Sequence, residues 1–413
     1  MREMKRSEIE WIRDIPANWK VMPNKYLMYK TKDICPVYGG EDILSLTMKG
    51  VIVRDLDAGG KMPASFDGYQ RLDAGNLLMC LFDIDVTPRC VGLIKQAGLS
   101  SPAYSQFVLK EGADAAYYCY YYTMLDNDKT LLHLAKNLRH SLTEDQLGAV
   151  PTIVPPIDEQ KRIAAFLDIK CAEIDALIVD VQAQIDVLEQ YKRSVITETV
   201  TKGLNPDAEM KDSGIQWIGM MPSHWDCIRG KYILKYIQKP VREDDGVITC
   251  FRDGEVTLRS NRREDGFTMA DKEIGYQGID VGDLVVHGMD GFAGAIGISD
   301  SRGKASPVLN VLGTEQNKRY IMYFLRSMAY SDVFLALATG IRVRSCDLRW
   351  NKLAELFYPV PPIEEQDAIV AHIDSVLQKT NDVIADKKEQ LAVLEAYKKS
   401  LIYEYVTGKK EVI

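Results

Sequence analysis

The sequence predicts an α+β protein built as an internal repeat: two homologous mixed modules, joined by two long helices that form an antiparallel coiled coil with pseudo-two-fold symmetry. Three observations carry this. Two blocks recur at a constant offset of 206 residues. Each copy holds a stretch of some 40 residues without Pro or Gly and with heptad-spaced apolar residues. Between them lie turn-rich segments with short apolar runs.

The head of each copy comes first. Lys5 to Trp19 aligns with Lys211 to Trp225, and the matches include Trp11/Trp217, Pro16/Pro222 and Trp19/Trp225. The second block runs from Pro151 to Lys202 and from Phe357 to Gly408, with 22 identities in 52 positions. It opens on Val154-Pro-Pro-Ile-Asp-Glu-Gln160 and Val360-Pro-Pro-Ile-Glu-Glu-Gln366. Between the blocks identity fades. One fragment survives, shifted by one residue: Ala74-Gly-Asn-Leu-Leu against Val281-Gly-Asp-Leu-Val. The expected organisation is a first module over 1–150 (with the shared segment 5–19), a helix over 151–205, a second module over 206–356 (with 211–225), and a final helix over 357–413. Shared frames suit structure or a common partner, whereas diverged inserts suit two versions of one task.

Within the modules, Gly39-Gly40, Asp67-Gly68, Asp253-Gly254 and Asp290-Gly291 mark turns. Asn76–Phe82 and Asp283–Val286 read as buried strands. Ala115–Tyr122 and Tyr320–Leu325 read as the start of a helix in each copy. The paired prolines at 155–156 and 361–362 stop what precedes them, and acidic residues then open each long helix, where its dipole favours negative charge. At 1.5 Å per residue, about 40 residues make a rod about 60 Å long. Its expected seam is Leu167, Ile174, Ile178, Val181, Ile185, Leu188 and Val195, with Cys171 between. In the second rod it is Ile373, Leu377, Ile384, Leu391, Leu394 and Leu401, interrupted by Thr380 and Lys387. The other rod is the nearest partner for such a stripe, although a separate protein would also serve.

Net charge is −8, which argues against a nucleic-acid partner until its distribution is read. Residues 151–225 carry 7 basic and 12 acidic side chains, whereas 226–356 carry 19 and 18. The acidic excess therefore sits with the helices, and the modules are free to present basic faces. The head of the chain is charged and no apolar run nears the ~18–20 residues of a membrane span, so a cytoplasmic protein is expected. The eight cysteines form no C-x-x-C pair and the five histidines no cluster, so neither a metal nor a disulfide framework is expected. Catalytic signatures are missing. Gly59-Gly60-Lys61-Met62 lacks the rest of a phosphate-binding loop, and Gly291–Gly297 has the wrong glycine spacing for a dinucleotide fingerprint. The Pro-Pro pairs are followed by Ile, unlike the Asn/Asp-Pro-Pro-Tyr/Phe of an amino-methyltransferase.

Binding remains, and cations are its candidates. In the first module these are Lys49, Arg54, Lys61, Arg71, Arg89 and Lys136, with Lys95 nearby; in the second, Arg252, Arg259, Arg262, Arg263, Arg342 and Arg344, with Arg349. Arg259-Ser-Asn-Arg262-Arg263 is a polar basic loop of the kind that reaches phosphates and guanine edges. The solvated surface charge is the plain alternative for each.

The Trp-Ile and Pro-x-x-Trp head and the Val-Pro-Pro-Ile-Asp/Glu-Glu-Gln opening, each seen twice, resemble the specificity subunit of a type I DNA restriction–modification enzyme over essentially the whole chain. The resemblance implies two target recognition domains, each reading half of a bipartite site in double-stranded DNA, with the helices as a ruler. It implies docking of two methyltransferase subunits, which hold S-adenosylmethionine and methylate adenine N6, and of restriction–translocase subunits with ATP and Mg. It places no cofactor and no catalysis on this chain. Differing modules imply an asymmetric target, with half-sites about one 34–36 Å turn apart. Lys387 in the seam and the short tail after Val406 depart from a regular second frame. Two readings stay open beside this one: a coiled-coil scaffold without sequence-specific DNA binding, and a specificity subunit serving methylation alone.

Overall fold

The structure, a computed structural model, describes residues 2–58, 63–135, 140–262, 274–337 and 348–412. It comprises two compact units. Unit 1 joins residues 1–182 to 389–413, and unit 2 is residues 183–388. Each unit combines one module with parts of both long helices, so the compact units cut across the segments drawn from sequence.

In unit 1 a four-stranded antiparallel sheet runs Met28–Thr31, Ser105–Leu109, Leu77–Met79, Val91–Leu93. In unit 2 the order is Leu234–Ile237, Leu309–Thr314, Leu284–His287, Ile296–Ile298. The strand order is the same, and the surviving sequence fragment lies at the same place in both. Gly75 and Gly282, at φ +91° and +82°, turn the chain just ahead of the equivalent strands Leu77–Met79 and Leu284–His287. A left-handed turn of this kind favours glycine. The strand expected over Asn76–Phe82 is shorter than its apolar run.

The frame repeats in its backbone pairing. Met4 pairs with Pro16 and Met210 with Pro222; Lys20 pairs with Val154 and Asp226 with Val360. Glu8 adopts φ +62° where the second copy has Gly214 at +70°.

Ala115–Asn127 forms the module helix of unit 1, capped by the Asp114 side chain, which accepts from the Tyr117 amide. Tyr117, Tyr118, Tyr121 and Tyr122 are all buried along it. Buried tyrosines must satisfy their hydroxyls. Tyr118 donates to the Ile153 carbonyl (3.2 Å), Tyr122 to Asn24 Oδ1 (2.6 Å), and Tyr117 to the Val406 carbonyl (2.8 Å). Lys318–Tyr330 is its counterpart in unit 2, capped by Asn317. There Tyr320 donates to the carbonyls of Val200 (3.1 Å) and Pro359 (3.0 Å).

The long helices span Ile157–Lys202 and Ile363–Val406. In unit 1 they run antiparallel: Phe166 meets Tyr405 at 4.4 Å between ring centroids, and Lys398 reaches Asp175 at 2.6 Å. Leu167, Ile174, Val181, Ile185, Ile373, Ile384 and Leu401 are buried, and Ile178, Leu188, Leu377, Leu391 and Leu394 partly so. Toward the end of the first helix the stripe leaves the strict heptad. Val195 is only half-buried, and Ile196 and Val200 carry the burial instead. An untwisted helix of 3.6 residues per turn drifts about 20° per heptad, which moves the buried face by one residue. The polar seam residues are satisfied. Thr380 bonds the Val376 carbonyl one turn back (2.8 Å), and in unit 2 the Lys387 amine reaches Gln184 Oε1 on the other long helix.

Candidate nucleic-acid interface

The paired Pro-Pro-Ile-Asp/Glu-Glu-Gln motif holds each module to a long helix. Gln160 is fully buried. Its Oε1 accepts from the Asp114 amide (2.8 Å), and its Nε2 donates to the carbonyls of Gly112 (3.0 Å) and Pro155 (2.8 Å). Gln366 repeats this: Oε1 accepts from the Asn317 amide (3.0 Å), and Nε2 donates to Pro361 O (2.9 Å) and Gln316 Oε1 (2.6 Å). In each copy the long helix thus grips the residue that caps the module helix. A second bond repeats one face along, where Tyr120 donates to Asp168 (2.8 Å) and Tyr323 to Asp374 (2.6 Å).

The glutamates beside those glutamines diverge. Glu159 accepts from Trp19 Nε1 (2.9 Å) and from Arg2 Nη2 (2.8 Å). Burial pushes the Glu159 carboxyl up, but the Arg2 and Trp19 donors outweigh it and hold it below its ordinary value. Glu365 instead bonds the His224 ring at 2.8 Å, and Trp225 Nε1, equally buried, finds no acceptor among the described residues.

Among the described residues, four of the expected cations sit beside carboxylates. Arg71 lies between Asp33 (3.6 Å) and Glu41 (3.7 Å) and donates to Cys35 Sγ. Arg89 pairs with the buried Asp126 (3.4 Å) and donates to Asn127 (3.1 Å). Arg252 pairs with Asp290 at 2.9 Å. Arg262 pairs with Asp253 (2.7 Å) and Glu255 (3.0 Å) and lies over the Phe251 ring at 4.1 Å. Arg259 donates from Nε to Thr249 Oγ1 at 3.1 Å. Arg54 is half-buried, and Lys49 stands exposed in the turn between Leu44–Thr47 and Gly50–Val53. Lys61, Lys136, Arg263, Arg342 and Arg344 lie outside the described residues, as does Cys346. The other seven cysteines are free thiols, and no group of metal-ligating side chains occurs among the described residues. Among the same residues, no helix is long and apolar enough to cross a membrane.

Each unit also holds a cleft between its module and the helices, which sequence reasoning missed. The cleft of unit 1, about 670 Å³, gathers Lys49, Arg89, Lys95 and Lys129 of the module with Lys398 and Lys399 of the second long helix. That of unit 2, about 910 Å³, gathers Arg252, Arg319 and Arg326 with Lys192 and Arg193 of the first long helix. Lys192-Arg193 and Lys398-Lys399 stand 206 residues apart, so the repeat itself was the available signal.

No protein-family model matches the chain. It is 25% identical over 276 residues to the type I restriction enzyme MjaVIII specificity subunit of Methanocaldococcus jannaschii, covering 63% of this chain and 62% of that one. It is 24% identical over 287 residues to a second protein of that organism, provisionally assigned as the type I restriction enzyme MjaX specificity subunit, covering 66% of this chain and 62% of that one. The chain therefore spans about three fifths of the length of these curated relatives. A solved structure described as showing complex assembly and conformational transition of the type I R-M system contains a chain of like fold. It matches at TM-score 0.67 and 13% identity, over 95% of this chain and 98% of the other. The chain is thus similar in sequence to type I specificity subunits and shares the α+β fold of a type I R-M system chain.

Proposed function

We propose that this chain is the DNA sequence-recognition subunit of a type I restriction–modification complex. The observation that carries the reading is its similarity to two specificity subunits, over 276 and 287 residues. Each module reads one half of a bipartite target, and the long helices hold the two at a set spacing. The modules share a strand order but differ in their charged side chains, which favours an asymmetric target. The outer faces of the helices dock two methyltransferase subunits, and restriction subunits join that assembly. The chain itself performs no catalysis: S-adenosylmethionine, Mg and ATP belong to the partner subunits, and adenine N6 methylation is their reaction.

Because Arg71, Arg89, Arg252 and Arg262 are paired with local acids, the free chain is expected to bind duplex DNA weakly, with the partners adding basic surface. The test is methylome sequencing of cells with and without the gene. Loss of one bipartite N6-methyladenine motif is the expected result. An unchanged methylome, in cells that make an intact methyltransferase partner, sinks the reading. Exchange of residues 226–356 for those of another such chain should change one half of the motif and keep the other.

A further inference from the structure

We infer that the cleft of unit 2 is a phosphate-binding site, taking an oligophosphate or a phosphodiester between Arg193 and Arg326. Both guanidinium groups lie over the ring of Tyr330, at 5.4 and 5.6 Å from its centroid. Arg326 is held in place: Nε donates to Tyr330 Oη (2.7 Å) and Nη2 to the Asp253 carbonyl (2.7 Å). Its guanidinium also packs on Gly254, where a Cβ would collide with it. Among the described residues, neither Arg193 nor Arg326 has a carboxylate partner, whereas the other cations of the cleft do. Lys192 pairs with Glu189 at 3.0 Å, Arg252 with Asp290 at 2.9 Å, and Arg319 with Asp374 at 2.7 Å. Of the lining acids, Glu189 and Asp253 are engaged in ion pairs, and Asp332 alone has none among the described residues.

One braced fork, Arg326, and one exposed fork, Arg193, share a ring and line a cleft of about 910 Å³. A guanidinium fork matches phosphate oxygens two at a time, and a third charge of opposite sign relieves the repulsion between two confined cations. The volume is within the range of ~300–1,000 Å³ typical of small-ligand sites. Next to Lys192, the first long helix, which carries an acidic excess overall, supplies Arg193. Its repeat-mate Lys399 lines the cleft of unit 1, but there Thr123 and Asn127 occupy the module-helix positions of Arg326 and Tyr330. The unit 1 cleft therefore has the helix cation without the braced arginine or the ring, and serves as an internal control.

The inference deepens the DNA-recognition reading but rests on geometry that stands without it, and its test is separate from the methylome. The full chain is titrated calorimetrically with inorganic pyrophosphate and, in a second arm, with a mixed-sequence duplex at several salt concentrations. Pyrophosphate should saturate one site, and Arg193→Gln with Arg326→Gln should weaken it about tenfold or more. Arg193→Gln alone, at an exposed helix position, should weaken it in the same direction and covers the case in which the double variant misfolds. Lys235→Gln, an exposed lysine outside the cleft, should leave it unchanged. If the same variants also lower duplex affinity and its salt slope, the phosphate is that of DNA. If only pyrophosphate binding falls, the site takes a free oligophosphate. Absence of pyrophosphate binding, or equal binding by wild type and Arg193→Gln, overturns the inference.

Discussion

The two frames present one motif wired in two ways. In unit 1 the buried Trp19 indole, Arg2 and Glu159 form a closed set of charge-assisted hydrogen bonds. In unit 2 the equivalent Trp225 is just as buried, yet its indole N–H has no acceptor among the described residues, because Glu365 turns to His224. Gln160 and Gln366, by contrast, keep the same bonds to the cap of the module helix. The glutamine is therefore the part of the motif that the architecture requires, and the glutamate is free to vary in its partner.

Breaking the glutamine lock should produce the largest effect. Gln160→Leu orphans the Asp114 amide and the Gly112 carbonyl, and should cost about 3 kcal/mol in denaturant unfolding. Gln366→Leu should cost less, about 2 kcal/mol, because the Gln316 side chain it releases can turn to solvent whereas a backbone carbonyl cannot. Equal costs would show that the two locks differ only in name.

Next come the tryptophans. Trp19→Phe and Trp225→Phe lose similar volume, but only Trp19→Phe takes a donor away from a buried carboxylate, leaving Glu159 with Arg2 alone. It should cost about 1 kcal/mol more than its counterpart. A smaller effect tests the backbone equivalence of the hairpins. Gly214→Ala should destabilise by about 1 kcal/mol at φ +70°, and Glu8→Gly, at φ +62°, should stabilise by roughly half that.

The smallest effect at neutral pH concerns acid. In unit 2, Lys239 (2.8 Å) and then Arg302 (2.6 Å) donate to Asp280 and hold its carboxyl down at about 2; Arg302 also holds Asp245 below its ordinary value. A depressed folded pKa stabilises above the unfolded value near 3.8 and is lost as pH falls toward about 2. Unfolding midpoints followed from pH 5 to pH 2 should fall for the wild type. Arg302→Gln should be less stable at pH 5 and fall less steeply. An unchanged slope in that variant would assign the acid loss to other carboxylates.

Much of the fold was legible because its signals are local and periodic. The Pro-Pro stop, the acidic first turn and the heptads located the long helices; the first module helix begins at the expected Ala115, and the second at Lys318, two residues ahead of the expected Tyr320. The drift to Ile196 was not legible, since the heptad assumes a supercoil that the sequence alone does not guarantee. The site was harder to read. Counting cations picked out Arg262, but its partners Asp253 and Glu255 reach it only through the fold of the Cys250–Val256 turn. Arg193 and Arg326 carry no local signal in the sequence, because the ring they share lies 137 residues from Arg193 in the chain. Gln160 was read as part of a helix start. Its grip on Asp114, 46 residues back, is invisible to any local pattern, and only its recurrence as Gln366 hinted at it.

The discontinuity of unit 1 bears on how the chain is made. Its core includes Leu401, Ile402 and Val406, and the Tyr117 hydroxyl donates a hydrogen bond to the carbonyl at position 406. These residues leave the ribosome after all of unit 2, which is a single uninterrupted segment. Unit 1 is thus begun before unit 2 and completed after it, and during synthesis its tyrosine helix must wait with one side uncovered. A nascent chain stalled before residue 389 should hold unit 2 in protease-resistant form while unit 1 is still open to cleavage.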